Sequence, residues 1–464
     1  MLRYVPGNAP DRQLDPSVWQ KRWHALEQAI EDVMNSFPEK LANKKGEWQV
    51  TLESTLQCLQ AFGEKQFNFF QNGFKQDGWL VDSPRYKAEY ALRSTLDQIA
   101  FDLTVLQRAR NQRLEVIARD AEFQMLTGPE ALALADKLAY KALKPAIDSG
   151  LLQETTVITY FQKSAHVRIV PYAPIALIGI PYTCIDTENN ARDYLAIPHE
   201  AGHYVYWHSK LNGTRINALL RSIMPAEPLW RLGWLEEIFA DVYGCLVAGP
   251  MLTLDFQELL SDNLSLFEDD GEHPVAAIRP FLYTDILRAL KDEEQQLLFP
   301  NAPDRLDEKW QQLRALRENR QSFKPRRDQS GSEVQLDETR KLIKETANMI
   351  LTALQPVLPR QATETWSGDS ADPGTHLYQA FKTAVLDQLT DMPPRLLAMK
   401  DKAAQEALSC PNDILWNPGD SSLEWFELFN SAQRNGLKLL PETWNTLLEG
   451  GGWAAGGPET DHAG

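Results

Sequence analysis

Of the 464 residues in this chain, the stretch Ala196-Ile-Pro-His199-Glu200-Ala-Gly-His203-Tyr-Val-Tyr constrains the fold most. Residues four apart on an α-helix lie one above the other, so His199 and His203 can turn two imidazole nitrogens onto one ion only if this stretch is helical. Zinc suits such a pair best, with one ion per chain. Glu200, one position past the first imidazole, stands beside the ion and can take a proton from water activated there; this is the mechanical content of an H-E-x-x-H spacing. Pro198 would remove a hydrogen bond from a helix interior. The helix therefore either begins there, with Pro198 in its first turn, or is kinked just before the histidines.

A catalytic zinc keeps three protein ligands and an open fourth position, so a carboxylate must arrive from elsewhere in the chain. Trp234-Leu-Glu236-Glu237-Ile-Phe-Ala-Asp241-Val-Tyr-Gly244 offers Glu237 as that ligand. Asp241 follows one helical turn later on the same face, where it can accept the outer N–H of a ligand imidazole and fix its tautomer. Glu236 is offset by about 100° on the same helix and is expected to point into solvent. A different arrangement, H-E-x-x-H-x-x-G-x-x-H, fails here because Tyr206 and Ser209 stand at the required Gly and third His. His208 lies about 140° around the helix from His203 and is read as a packing or surface residue. A structural zinc usually closes its fourth position with Cys, and Cys184 and Cys245 leave that arrangement open.

These two helical segments resemble the gluzincin zinc metallopeptidases, in which H-E-x-x-H is followed by E-x-x-A-D on a second helix. A third segment, Glu272-His273-Pro274-Val-Ala-Ala-Ile-Arg279, is similar to the His-Pro…Arg segment of gluzincins of the prenyl-protein-protease and HtpX type. The resemblance covers residues 154 to 290. It implies a zincin-like core that hydrolyses peptide bonds, with Glu200 as general base and His273 as a donor to the oxyanion. Tyr204, Tyr206 and Tyr283 are weaker candidates for that donor, and Arg279 pairs either with a site carboxylate or with the acidic surface. Those relatives are mostly embedded in membranes, whereas this chain contains no run of about 18 apolar residues that would span a bilayer. The implied partner is a protein or peptide substrate. The alternative is a non-catalytic protein in which zinc braces a helical scaffold that binds another protein.

Around this centre the chain reads as α+β and predominantly α. Thr155–Phe161, His166–Val170 and Ile175–Ile180 are rich in β-branched and aromatic residues and read as strands of a small sheet. Either of the last two could hold an extended peptide along its edge. Trp230, Trp234 and Phe239 read as core or as the lining of a pocket. Residues 1–150 read as an N-terminal helical domain, with one helix opening at Asp82-Ser83-Pro84. The stripe Leu92, Leu96, Ile99, Leu103, Leu106 suits a helical bundle or a dimerising or regulatory contact. The metallopeptidase domain is expected over 151–320. The polar stretch Arg320–Glu333 reads as a linker or cleavable loop, residues 334–449 as a C-terminal helical region and 450–464 as a disordered tail.

Composition closes off several classes. Hydrophobic residues at 43% and charged residues at 24% exclude wholesale disorder and fibrous chains. A net charge of −17 repels polyphosphate and excludes nucleic acid as the main partner. The opening Met1-Leu-Arg-Tyr-Val-Pro-Gly lacks the apolar centre of a secretory signal, and Cys58, Cys184, Cys245 and Cys410 form no CxxC pair, so reduced thiols and a cytoplasmic address are expected.

Overall fold

The computed structural model describes residues 16–37, 47–114, 125–225, 228–262, 265–290, 301–317, 320–326, 331–358, 366, 375–398, 413–417 and 435–448. It is predominantly helical with small sheets, an α+β protein as its sequence pattern indicates. The described helices open with α1 (Pro16–Asn35), α2 (Glu47–Gly73), α3 (Ala88–Leu114) and α4 (Gly128–Asp148). Strands β1 (Thr156–Gln162), β2 (His166–Arg168) and β3 (Ile175–Pro181) follow, close to where β-branched composition places them. Next come α5 (Ile197–His208), the ladder β4–β5 (Lys210–Leu211 with Thr214–Arg215), α6 (Ile216–Ile223), α7 (Leu229–Gly233), α8 (Leu235–Ala248), α9 (Pro250–Ser261) and α10 (Arg279–Ala289). After these lie α11 (Ala302–Arg317), the ladder β6–β7 (Ser322–Phe323 with Val334–Gln335), α12 (Leu336–Leu354) and α13 (Thr375–Ala384). The parallel pair β8 (Arg395–Ala398) and β9 (Asp413–Trp416) and helix α14 (Pro441–Leu448) complete the order. The expected tail 450–464 and Cys410 lie outside the described residues.

The chain separates into two units that are not contiguous in sequence: one formed by 1–110, 170–173 and 395–464, the other by 111–169 and 174–394. In the first unit the stripe Leu92, Leu96, Ile99, Leu103 and Leu106 on α3 is buried within the chain itself. α3 begins at Ala88, four residues beyond Pro84, because Ser83 closes a turn instead. Its backbone N–H donates to the Tyr86 carbonyl and its hydroxyl accepts from the Tyr86 N–H. Hydroxyls of Thr51 and Ser54 on α2 accept the backbone N–H groups of Leu396 and Ala398, so α2 satisfies the side of β8 that faces away from β9.

In the second unit β3 is the central strand, parallel to β1 and antiparallel to β2. β1 and β3 are buried on both faces, which accounts for their near-continuous apolar runs. The central position corrects one expectation: Ile175–Ile180 has no free edge for a peptide. β1 is an edge strand, but side chains occupy part of its ladder. Gln112 donates to the Phe161 carbonyl and accepts the Phe161 N–H, Arg113 donates to the Thr159 carbonyl, and Asp136 accepts the Thr159 N–H. Such cover prevents an edge from templating another strand. β2, the opposite edge, packs against α5. Within the stretch Arg320–Glu333, read as a linker or cleavable loop, Ser322–Phe323 pairs with Val334–Gln335 just beyond it, and Phe323 stacks on Trp234 at 5.7 Å. Among the described residues no helix is long and apolar enough to cross a membrane.

Candidate metal centre

Helix α5 begins at Ile197 and accommodates Pro198 in its first turn, where a missing N–H costs nothing. Its neighbour α8 carries Glu236 and Glu237 in its own first turn, a position where unpaired backbone N–H groups favour carboxylates. The two helices approach closely because glycines face the contact. A Cβ on Gly202 would lie 2.7 Å from the Ala240 Cα, and one on Gly244 would lie 3.3 Å from the His199 backbone nitrogen. The spacing of the helices, and with it the spacing of their side chains, depends on these missing methyl groups.

At this contact His199 Nε2 lies 3.1 Å from His203 Nε2, and the carboxylate oxygens of Glu237 lie 3.4 Å from His199 Nε2 and 3.3 Å from His203 Nε2. Four ligands held 2.0–2.1 Å from a zinc ion at tetrahedral corners stand about 3.3 Å apart. The three donors match that edge length and converge within 4.8 Å of one another, so two imidazoles and a carboxylate could hold a divalent metal here. Neither Cys184 nor Cys245 joins them. Both thiols are buried, burial pushes each upward from its ordinary value, and Cys245 Sγ sits 3.9 Å from the Thr253 hydroxyl.

Each imidazole has a carboxylate behind it, both from α8. Asp241 Oδ1 lies 3.0 Å from His199 Nδ1, out of hydrogen-bond alignment, and Glu236 Oε1 lies 3.0 Å from His203 Nδ1. The expectation that Glu236 points into solvent is therefore corrected. The same oxygen accepts the Trp207 indole N–H at 2.8 Å, so Glu236 is anchored between two residues of α5. The outer nitrogen of His203 needs an acceptor, and that requirement was the available signal for this residue.

Arg279 turns inward. Its guanidinium donates to both oxygens of Asp241 at 2.9 and 2.8 Å and to Glu237 Oε2 at 2.8 Å, and it lies over the Phe256 ring. Of the two readings offered by sequence, the site carboxylates are its partners, and at 5% exposure it reaches no acidic surface. Tyr283 donates to Asp241 Oδ1 at 2.7 Å and is fully buried. Tyr204 is buried and stacked on His208 at 4.3 Å, and the Tyr206 hydroxyl lies 3.4 Å from Arg221 Nε. These hydroxyls are engaged away from the three converging donors. Trp230, Trp234 and Phe239 are buried in the core.

Burial alone would lower the imidazoles and raise the acids, but neighbouring charges reverse both. His199 is raised to about 9 by Asp241 and Glu237, and His203 is raised chiefly by Glu237. Glu237 is held well below the ordinary carboxylate range by His273, His203 and Arg279, and Asp241 is lowered by Arg279 and His199. Arg279 stays charged against its own burial because Asp241, Tyr283 and Glu237 surround it.

His273 comes to the same place from the loop before α10. Its Nε2 lies 3.3 Å from Glu237 Oε1 and its Nδ1 lies 2.7 Å from Asp270 Oδ2. The side chain keeps 44% of its exposure, unlike the converging imidazoles of His199 and His203 at 6% and 11%. Glu200 is 7% exposed and makes no hydrogen bond or ion pair with another described side chain. Comparison of the chain with family models, with curated proteins and with solved structures gives no match.

Proposed function

We propose that the chain is a zinc-dependent peptidase, acting as an endopeptidase on a protein or peptide. The observation that carries this reading is the convergence of His199, His203 and Glu237 at 3.1–3.4 Å, next in sequence to a buried glutamate that makes no hydrogen bond or ion pair with another described side chain. In this reading these three residues hold the ion, one zinc per chain, which when bound polarises a carbonyl and makes water acidic enough to attack near neutral pH. Glu200 accepts the proton of the attacking water and returns it to the leaving amine. His273, half exposed and braced by Asp270, donates toward the oxygen that becomes negative. Asp241 and Glu236 keep the two imidazoles turned inward. An extended substrate lies along β2, the edge strand packed on α5.

The competing reading, a zinc-braced scaffold, draws less support. A structural site closes its fourth position, most often with a thiolate, and the thiols of Cys184 and Cys245 stay outside the donor cluster. Glu200→Gln separates the two. The peptidase reading expects zinc content unchanged by atomic absorption and hydrolysis of a fluorogenic protein substrate reduced by about 10²–10⁴-fold. Undiminished hydrolysis in the zinc-loaded variant would remove Glu200 as general base, and hydrolysis absent from both proteins would favour the scaffold.

A further inference from the structure

His273 is positioned by a chain of contacts that reaches back to the segment before β7. Asp270 Oδ1 accepts the backbone N–H groups of Glu272 and His273, both at 2.8 Å, while its other oxygen meets His273 Nδ1 at 2.7 Å. The turn is thus closed by the same carboxylate that orients the ring. It is in turn tied down from outside. Arg326 donates its guanidinium to the Asp270 carbonyl at 2.8 Å and its backbone N–H to Asp269 Oδ2 at 2.7 Å. The other oxygen of Asp269 accepts from the Trp234 indole and the Gly271 N–H. Trp234 immediately precedes α8, the helix of Glu236, Glu237 and Asp241, and it carries Phe323 stacked on its face.

From these contacts we infer that Asp270 and Arg326 are positioning residues: the segment 320–326 clamps the 269–273 turn to the start of α8, and this clamp sets the His273 ring 3.3 Å from Glu237. The inference rests on the peptidase reading only in the role it gives His273. The geometry itself concerns one turn and three tethers. An exposed ring without them would sample several rotamers, and a displacement of about 1 Å at such a donor is worth about 10²-fold in rate.

Two variants of the zinc-loaded chain test this separately. Asp270→Asn keeps an oxygen that can accept the two backbone N–H groups but places an amide N–H₂ against His273 Nδ1, so it should change the ring tautomer without opening the turn. Arg326→Ala removes the guanidinium tether. Imidazole ¹⁵N spectra, with His273→Gln assigning the resonance among the eight histidines, read the ring; amide hydrogen exchange of residues 271–273 reads the turn. We expect a changed His273 tautomer in D270N, exchange faster by about two- to tenfold in R326A, and unchanged zinc content in both. On fluorescein-labelled casein, kcat referred to bound zinc, which discounts unfolded protein, should fall by about 10²-fold in R326A with KM held. An unchanged His273 resonance in D270N, or unchanged exchange in R326A, overturns the proposal. If the parent protein lacks peptidase activity while the spectra and exchange respond as stated, the clamp stands and the peptidase reading fails.

Discussion

Gly202 offers the most direct test of how helix spacing governs the donor cluster. A methyl group placed there meets the Ala240 Cα at 2.7 Å, its carbonyl oxygen at 3.0 Å and its Cβ at 3.2 Å. The obstacle is backbone of the facing helix, so a side-chain rotation cannot relieve it. Restoring an ordinary carbon–carbon contact requires α5 and α8 to part by about 0.7 Å. The two imidazoles ride on α5 and Glu237 rides on α8, so the separations of 3.3 and 3.4 Å between them widen while the 3.1 Å within α5 does not. Metal sites tolerate donor displacements of about 0.2 Å. Gly202→Ala is therefore expected to weaken zinc binding by at least about tenfold, and to cost about 1–3 kcal/mol of stability through overpacking. Competition with a chromophoric chelator gives the zinc dissociation constant, and urea unfolding of the zinc-free protein gives the stability. A variant with parental zinc affinity and parental stability would refute the claim that this contact sets the donor spacing.

Three further perturbations follow from the same contacts. Glu236→Ala removes the acceptor of both His203 Nδ1 and the Trp207 indole, and zinc affinity measured by the same competition should fall about 10–100-fold. Arg279→Met leaves Asp241 and Glu237 without their guanidinium, which should cost about 3–5 kcal/mol in urea unfolding. His208 is lowered to about 3 by burial and by Arg215, so below about 6.5 the unfolded chain takes a proton that the folded chain refuses, and stability falls as pH drops from 6.5 toward 3. His208→Phe, which can keep the stack on Tyr204, should flatten that limb by up to about 1 kcal/mol per pH unit in denaturation measured across it.

Local pattern carried much of the fold. β-branched and aromatic composition located the three strands to within a few residues, and the leucine stripe of α3 is buried as its spacing requires. The order of the strands was not legible, because β3 is as apolar as a strand covered on both faces must be, whether or not it is central. Nor was the cover on β1. Gln112, Arg113 and Asp136 look like ordinary polar positions until tertiary structure sets them beside Thr159 and Phe161. At the site, helical spacing puts His199 and His203 on one face of α5, and the same reasoning put Glu236 in solvent. That step failed because it treated α8 alone. Beside a second helix at close approach, a residue 100° off the contact line still reaches across to the outer nitrogen of His203 and the Trp207 indole. The inward turn of Arg279 and Tyr283 was equally hidden, since it depends on α10 delivering both residues to Asp241.

Glu200 weighs the two readings of the centre by an energetic argument that needs no substrate. A scaffold that used zinc only as a brace would need the three donors and their supporting carboxylates, all of which are engaged by neighbours. It would have no use for a fourth acid that makes no hydrogen bond or ion pair with another described side chain, since such a group, its carboxylate oxygens still open to water, adds nothing to stability. A chain under selection for stability alone would carry a neutral or apolar residue at this position. Glu200→Gln should therefore leave folding stability equal or higher even as, on the peptidase reading, it lowers hydrolysis, the opposite coupling to Arg279→Met, where the lost group supports its neighbours. A loss of more than about 1 kcal/mol in E200Q would mean that Glu200 does structural work for α5, and the unpartnered acid would no longer separate a hydrolase from a scaffold.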